Sequence, residues 1–223
     1  MRINQFIAHA TGMARRAADR VVSEGRVEVN GTTAIPGTQV EESDVVKLDH
    51  RPLAIMSAYS YIMLNKPVGY VTSRRQQGSD PTIYDLLPQN LHSLRPIGRL
   101  DRDSSGLLLL SDDGPFINEL THPSYEKTKI YDLTLARAIS SSDLTNLTGG
   151  VKLEDGLSRL QVIRATGKQI RVGLSEGRNR QLRRTFGTLG NTVVTLHRVQ
   201  VGPYRLEGLQ PGHWQTINPG RPA

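Results

Sequence analysis

The chain contains no cysteine. Disulfides and thiolate-held metals are therefore excluded as sources of its stability. Aromatic residues make up only 5% of the sequence, with a single tryptophan. No apolar run approaches the roughly 20 residues that a membrane-spanning helix needs, and the opening MRINQFIAHA lacks the apolar core of a secretion signal. The expectation is a cytoplasmic protein. Low-complexity tracts and fixed-period repeats are absent too. What remains is 223 residues, 37% apolar and 22% charged, enough for two domains with packed cores.

Charge is the first positive signal. The formal net charge is +7, which points to a polyanionic partner. Its distribution is uneven. Residues 1–57 carry seven basic and seven acidic side chains, so the whole excess lies beyond them. Residues 171–205 alone hold seven arginines and one carboxylate.

The first segment has the spacing of two short helices and a hairpin. Ile3, Phe6, Ile7 and Ala10 form one apolar face, ended by Gly12. A second helix over 14–23 turns Ala17, Ala18, Val21 and Val22 inward and sets Arg15, Arg16 and Arg20 on its other side. GRVEVNG then alternates like a strand and closes on the tight-turn pair Asn30-Gly31, with DVVKLD (44–49) a second strand. Residues 50–60 are rich in small residues and serve as a linker. An apolar strand (61–66), a Lys66-Pro67 break, a second short strand and a short helix within 81–88 come next. Strands at 106–111, 129–136, 159–164, 169–175 and 192–200 alternate with helices at 113–120, 141–148 and 179–189. This is an α+β pattern, without the strict alternation of a parallel α/β fold.

GRLDRDSSGLLLL (98–110) wedges Asp101 and Asp103 among arginines at the start of a leucine strand. Asp101, Asp103, Ser105, Gly106 and Asp112 have the spacing of a calcium loop. Three features oppose that reading: Asp where a bidentate Glu belongs, Leu109 at a polar position, and Pro96 and Gly98 where the entering helix should be. For Asp103, an Asx turn or structural ion pair is an ordinary alternative. Phosphate-loop chemistry fails as well, since Gly167-Lys168 has Val162 in place of the first glycine. The six histidines show no metal-binding spacing.

Five stretches, GRLDRDSSGLLLLSDDG, LNKPVGYVTS, HPSYEKTKIYDLTL, GVKLEDG and SEGRNRQLRRTFGTLGNTVVTLHRVQVGP, occur in the order seen in one family. Together with the N-terminal helix–hairpin pattern, the chain resembles the ribosomal RNA pseudouridine synthases that carry an N-terminal S4-like RNA-binding domain. GVKLEDG and EGRNRQLRR look more like the large-subunit branch. One departure is Ala14, where the family pattern has a serine before the Arg-Arg pair. This removes a helix cap worth roughly 1 kcal/mol.

The resemblance implies an S4-like domain over 1–56 and a catalytic domain over 57–223 built on a mixed, mostly antiparallel sheet, with the site in a cleft across it. It implies isomerisation of uridine to pseudouridine in ribosomal RNA, chiefly large-subunit RNA, by a monomer needing no metal or cofactor. Asp101 is implied as nucleophile, with Asp103 next in line. Tyr131 would stack on the flipped base and Arg99 would fill its vacated space. Arg183 would be the inward counter-ion of Asp101, because burial disfavours a carboxylate anion and a guanidinium offsets this. Arg180 and Arg184 would face outward to phosphate, with Lys66, Arg178 and Arg198 as further phosphate contacts. Arg15, Arg16 and Arg20 would hold structured RNA. Tyr131 also fits as a core residue, since alternation sets it with Leu133 and Leu135. The rival functions are a non-catalytic RNA-binding assembly factor, the same chemistry on small-subunit RNA or tRNA, and a metal or phosphoryl-transfer enzyme.

Overall fold

A computed structural model of the protein describes residues 1–41, 43–54, 59–75 and 78–219. The chain divides into two compact units, Met1–Tyr59 and Ser60–Ala223.

In the first unit, helices α1 (Ile3–Thr11) and α2 (Arg15–Ser23) precede strands β1 (Val27–Val29), β2 (Thr32–Thr33), β3 (Val46–Leu48) and β4 (Arg51–Leu53). Ile3, Phe6 and Ile7 of α1 meet Ala18, Val21 and Val22 of α2 over Val27, Val46 and Leu48 of the sheet. Gly12 ends α1 in the left-handed region and returns its N–H to Ala8. Ala14 gives α2 no side-chain cap. Asn30 and Gly31, both at positive φ, turn β1 back onto β2. The other edge of β1 pairs with β3. The stretch read as a linker is in part structured: β4 pairs with β3, extending the sheet to the order β2-β1-β3-β4. Residues 55–58 of that stretch lie outside the described residues.

The second unit runs β5 (Tyr61–Lys66), β6 (Arg95–Ile97), β7 (Ser105–Ser111), α3 (Gly114–Thr121), β8 (Lys129–Leu135), α4 (Ser141–Gly149), β9 (Val151–Leu153), β10 (Gly156–Ser158), β11 (Gln161–Thr166), β12 (Gln169–Leu174), α5 (Gln181–Thr188), β13 (Val193–Val201), β14 (Tyr204–Arg205) and β15 (Trp214–Thr216). The main sheet has the order β11-β12-β8-β13-β7-β5-β15, with β14 added on β13 and β6 on β7. Every pairing is antiparallel except β13 with β7. The sheet is thus mixed, with one parallel seam near its middle. The expected second short strand after Pro67 reduces to an isolated bridge between Val71 and Thr82. The expected strand at 159–164 is present as β11, shifted by two residues, and a short hairpin, β9–β10, precedes it.

The four leucines of β7 explain themselves by alternation. Leu108 and Leu110 enter a core with Ile62, Leu64, Leu133 and Phe186, whereas Leu107 and Leu109 join Met63, Ile97, Phe116 and Leu120. Both faces are covered, so all four are fully buried. Gly106 sits at the seam. A Cβ there would lie 2.2 Å from the carbonyl oxygen of Arg198, so only glycine lets β7 and β13 close.

Candidate active site

Tyr131 and Arg198 form the floor of the site, within a row that runs across four strands. Tyr131 on β8 pairs with Arg198 on β13, Arg198 with Gly106 on β7, and Gly106 with Lys66 on β5. Cross-strand partners project to the same face. One register line therefore carries an aromatic ring, two cations and a glycine that makes room for them.

Just before β7 the chain turns through Asp101–Ser104, closed by Ser104 N–H donating to the Asp101 carbonyl at 3.0 Å. Neighbouring loops hold this turn. Thr72 Oγ1 donates to the Leu100 carbonyl at 2.8 Å. Gly69 N–H donates to the Arg102 carbonyl at 2.8 Å. From below, the Lys66 ammonium donates to the carbonyls of Ser104 (2.7 Å), Pro67 (3.0 Å) and Asp101 (3.1 Å). Lys66 is 0% exposed, which corrects its reading as a phosphate contact. It is a buried pillar under the Asp101 turn. Burial pulls its pKa down to about 8, against the opposing attraction of Asp101 and Asp103.

The second wall is the start of α5. Arg180, its N-cap, has φ +45°, in the left-handed region. Its fork donates to both carboxylate oxygens of Asp103, at 2.9 and 3.1 Å, and lies 3.8 Å from Asp101 Oδ2. Arg183 donates to the Val193 carbonyl at 2.7 Å and the Asp103 carbonyl at 2.8 Å, with its Nε 3.2 Å from Asp103 Oδ2. Paired first of all with Arg180, the Asp103 carboxyl is held below its ordinary range. The expected division of roles is thereby altered. Arg180, expected to face outward, is the arginine in ion-pair reach of Asp101, and Arg183 is bound to Asp103.

Two further expectations change. Arg184 pairs with Asp155 at 2.7 and 3.0 Å. Arg178 donates to the same carboxylate at 2.9 Å and to the Leu157 carbonyl at 3.0 Å. Both therefore fasten the β9–β10 hairpin to the start of α5, rather than standing free for phosphate. Gln181 and Thr185 complete this joint through Ser158, at 3.0 and 2.8 Å. Arg198 is 2% exposed, so it is no surface contact. Its Nε donates to the Leu107 carbonyl at 2.7 Å, and its Nη2 is buried without a hydrogen-bond partner among the described residues.

Between these walls lies a cleft of about 690 Å³, lined by Arg99, Asp101, Tyr131, Arg178, Arg180, Arg183 and Arg198 among others. Lys66 and Arg184 are outside it. Tyr131 serves twice, as a cleft wall and as a member of the larger core. Lys129 also lines the cleft, a residue the sequence reading missed. The signal was available, since it stands two residues before Tyr131 and so shares its face. Burial and the nearby Arg198 charge lower its pKa. In the first unit, Arg15, Arg16 and Arg20 are exposed along α2 and make no ion pair among the described residues. No cluster of three or more metal-binding side chains occurs among the described residues.

A mixed sheet with a carboxylate turn at its seam, a basic helix start opposite and a tyrosine on the floor defines an enzyme-like cleft. The RNA pseudouridylate synthase family model matches residues 60–187 and the S4 domain model residues 1–46. The chain belongs to the RNA pseudouridine synthases and carries an S4 domain. It is 35% identical to an RNA pseudouridine synthase of Aquifex aeolicus, over 100% of this chain and 92% of that protein. It is 35% identical to ribosomal small subunit pseudouridine synthase A of Salmonella typhimurium, over 97% and 96%. With ribosomal large subunit pseudouridine synthase B of Bacillus subtilis it shares 33%, over 98% and 92%. A solved pseudouridylate synthase superposes with a TM-score of 0.70 at 30% identity, covering 99% of this chain and 97% of the other.

Proposed function

We propose that this enzyme isomerises specific uridines in ribosomal RNA, with Asp101 as its nucleophile. The observation that carries the assignment is the shared cleft of Asp101, Tyr131, Arg180 and Arg183. The reaction breaks N1–C1′, rotates the uracil, forms C5–C1′ and transfers the C5 proton to N1. All atoms are conserved. The demands on the protein are one ionised carboxylate at the sugar, a surface for the freed base, and a means of reaching it.

Asp101 supplies the carboxylate. Its turn is fixed through the backbone by Ser104 and Lys66, which leaves the side chain free to face the cleft. Tyr131 gives the base a flat wall, and its burial in the core keeps the ring from moving. Extruding a base costs a few kcal/mol, and the exposed Arg99, which lines the cleft, would occupy the gap left behind. Two of the three named relatives carry ribosomal RNA subunits in their names, and the exposed arginines of α2 suit a structured RNA. GVKLEDG and EGRNRQLRR favour the large-subunit RNA, although 35% and 33% identity to the two branches separate nothing.

Asp101→Asn is the direct test. The near-isosteric amide should abolish conversion of a uridine-containing ribosomal RNA fragment in single turnover, with RNA affinity within about twofold. Turnover near the wild-type rate would move the nucleophile elsewhere. Mapping pseudouridines in both ribosomal RNAs from cells lacking the protein identifies the subunit and the nucleotide.

A further inference from the structure

We infer that Arg180 and Asp103 form a positioning clamp for the Asp101 carboxylate, and that Arg180 is not a phosphate contact. The inference rests on the reading of Asp101 as nucleophile. Three observations carry it. The Arg180 fork is bidentate on Asp103, at 2.9 and 3.1 Å, so its plane is fixed by two parallel bonds. The same guanidinium stands 3.8 Å from Asp101 Oδ2. A group that is itself held still thus faces the reacting carboxylate from one side.

The third observation is the backbone. Arg180 has φ +45° and ψ 31°, a conformation that residues other than glycine, asparagine and aspartate rarely adopt. Glycine would take this turn without strain, yet an arginine occupies it. The strained turn sets the side chain across the cleft instead of along α5. Arg183 donates to the Asp103 carbonyl at 2.8 Å and holds its Nε 3.2 Å from Oδ2, the oxygen that also receives Arg180 Nη2. The carboxylate that receives the Arg180 fork is therefore itself anchored. The chain of restraint runs Arg183 to Asp103, Asp103 to Arg180, and Arg180 to Asp101. An outward arginine searching for phosphate would need none of these contacts.

Arg180→Gly, Arg180→Lys and Asp103→Asn test the clamp. Arg180→Gly keeps the left-handed turn and removes the guanidinium, so its melting temperature should not fall. Each variant is assayed by single turnover at saturating ribosomal RNA fragment and, separately, for RNA affinity as a function of salt. Arg180→Gly and Asp103→Asn should each slow conversion about 10- to 100-fold, the range for a reacting group displaced by about an ångström, with affinity and salt slope unchanged. Arg180→Lys, which keeps charge without the fork, should recover only part of the rate. The double variant should be no slower than the slower single one, because the two residues act as one unit. The clamp is overturned if Asp103→Asn converts at the wild-type rate. It is equally overturned if Arg180→Gly loses affinity and salt dependence while its saturated rate is normal. An active Asp101→Asn variant would instead overturn the assignment of the nucleophile, whatever these variants do.

Discussion

At the scale of single residues, the sequence pointed to side chains that share a cleft, but not to how they pair. Asp101, Tyr131 and Arg183 do share a cleft. Which arginine meets which aspartate depends on the left-handed turn at Arg180, and nothing in an arginine announces such a turn. Lys66 went astray for a related reason. Lysines are almost never fully buried, so a surface role was the natural reading, but the Asp101 turn offers it three carbonyls at once. This has a measurable consequence. The folded-state pKa of Lys66 is about 8, below its ordinary 10.5. Between those values the unfolded chain holds more protons at this site than the folded one, so stability rises with pH there. Lys66→Met lacks that contribution and also leaves the three carbonyls without their donor. The variant should be less stable by about 1–3 kcal/mol at pH 7.5, the cost of leaving buried acceptors unsatisfied. Its deficit against wild type should widen as pH rises from 8 to 10, as measured by urea unfolding. A deficit that stays constant or narrows would mean the ammonium is not held at a cost in the fold.

At the scale of elements, what could be read was what periodicity carries. The leucine strand β7, the alternating β8 and the helix at α5 show clear patterns over six or more residues. The strands missed, β2, β4, β6, β9, β10, β14 and β15, are two or three residues long and too short to display any period. β15 depends on β5, far away in sequence, whereas β4, β10 and β14 are short arms of local hairpins. The parallel seam could not be read either, although its requirement stood in plain view as Gly106. Gly106→Ala should separate β7 from β13, because the new methyl would displace the Arg198 backbone and not merely a flexible side chain. A loss of roughly 3 kcal/mol or more is expected from overpacking together with the strained positive φ. The check is thermal and urea unfolding. A loss within about 0.5 kcal/mol, the usual figure for an inconsequential surface change, would show that the seam can relax.

At the scale of the whole molecule, the two units divide the labour. The first is electrically neutral in sequence over 1–57, yet it offers three exposed arginines on α2. The second holds the entire charge excess and the cleft. Deleting residues 1–59 should weaken binding to a ribosomal RNA fragment and leave the saturated single-turnover rate near wild type. If each of the three arginines meets one phosphate, the salt slope should fall by about two, from roughly 0.7 per contact on single strands. Unchanged affinity would return the α2 arginines to ordinary solvated charge. The parallel seam also sets a timetable during synthesis. Arg198 stands 99 residues after Arg99, whose carbonyl it reaches, and its strand is the one that closes against β7. At translation speeds of roughly 5–20 residues per second, the Asp101 turn emerges several seconds before either the floor or the opposite wall of its cleft exists. A nascent chain therefore carries Asp101 without a pocket until nearly the last strand is out.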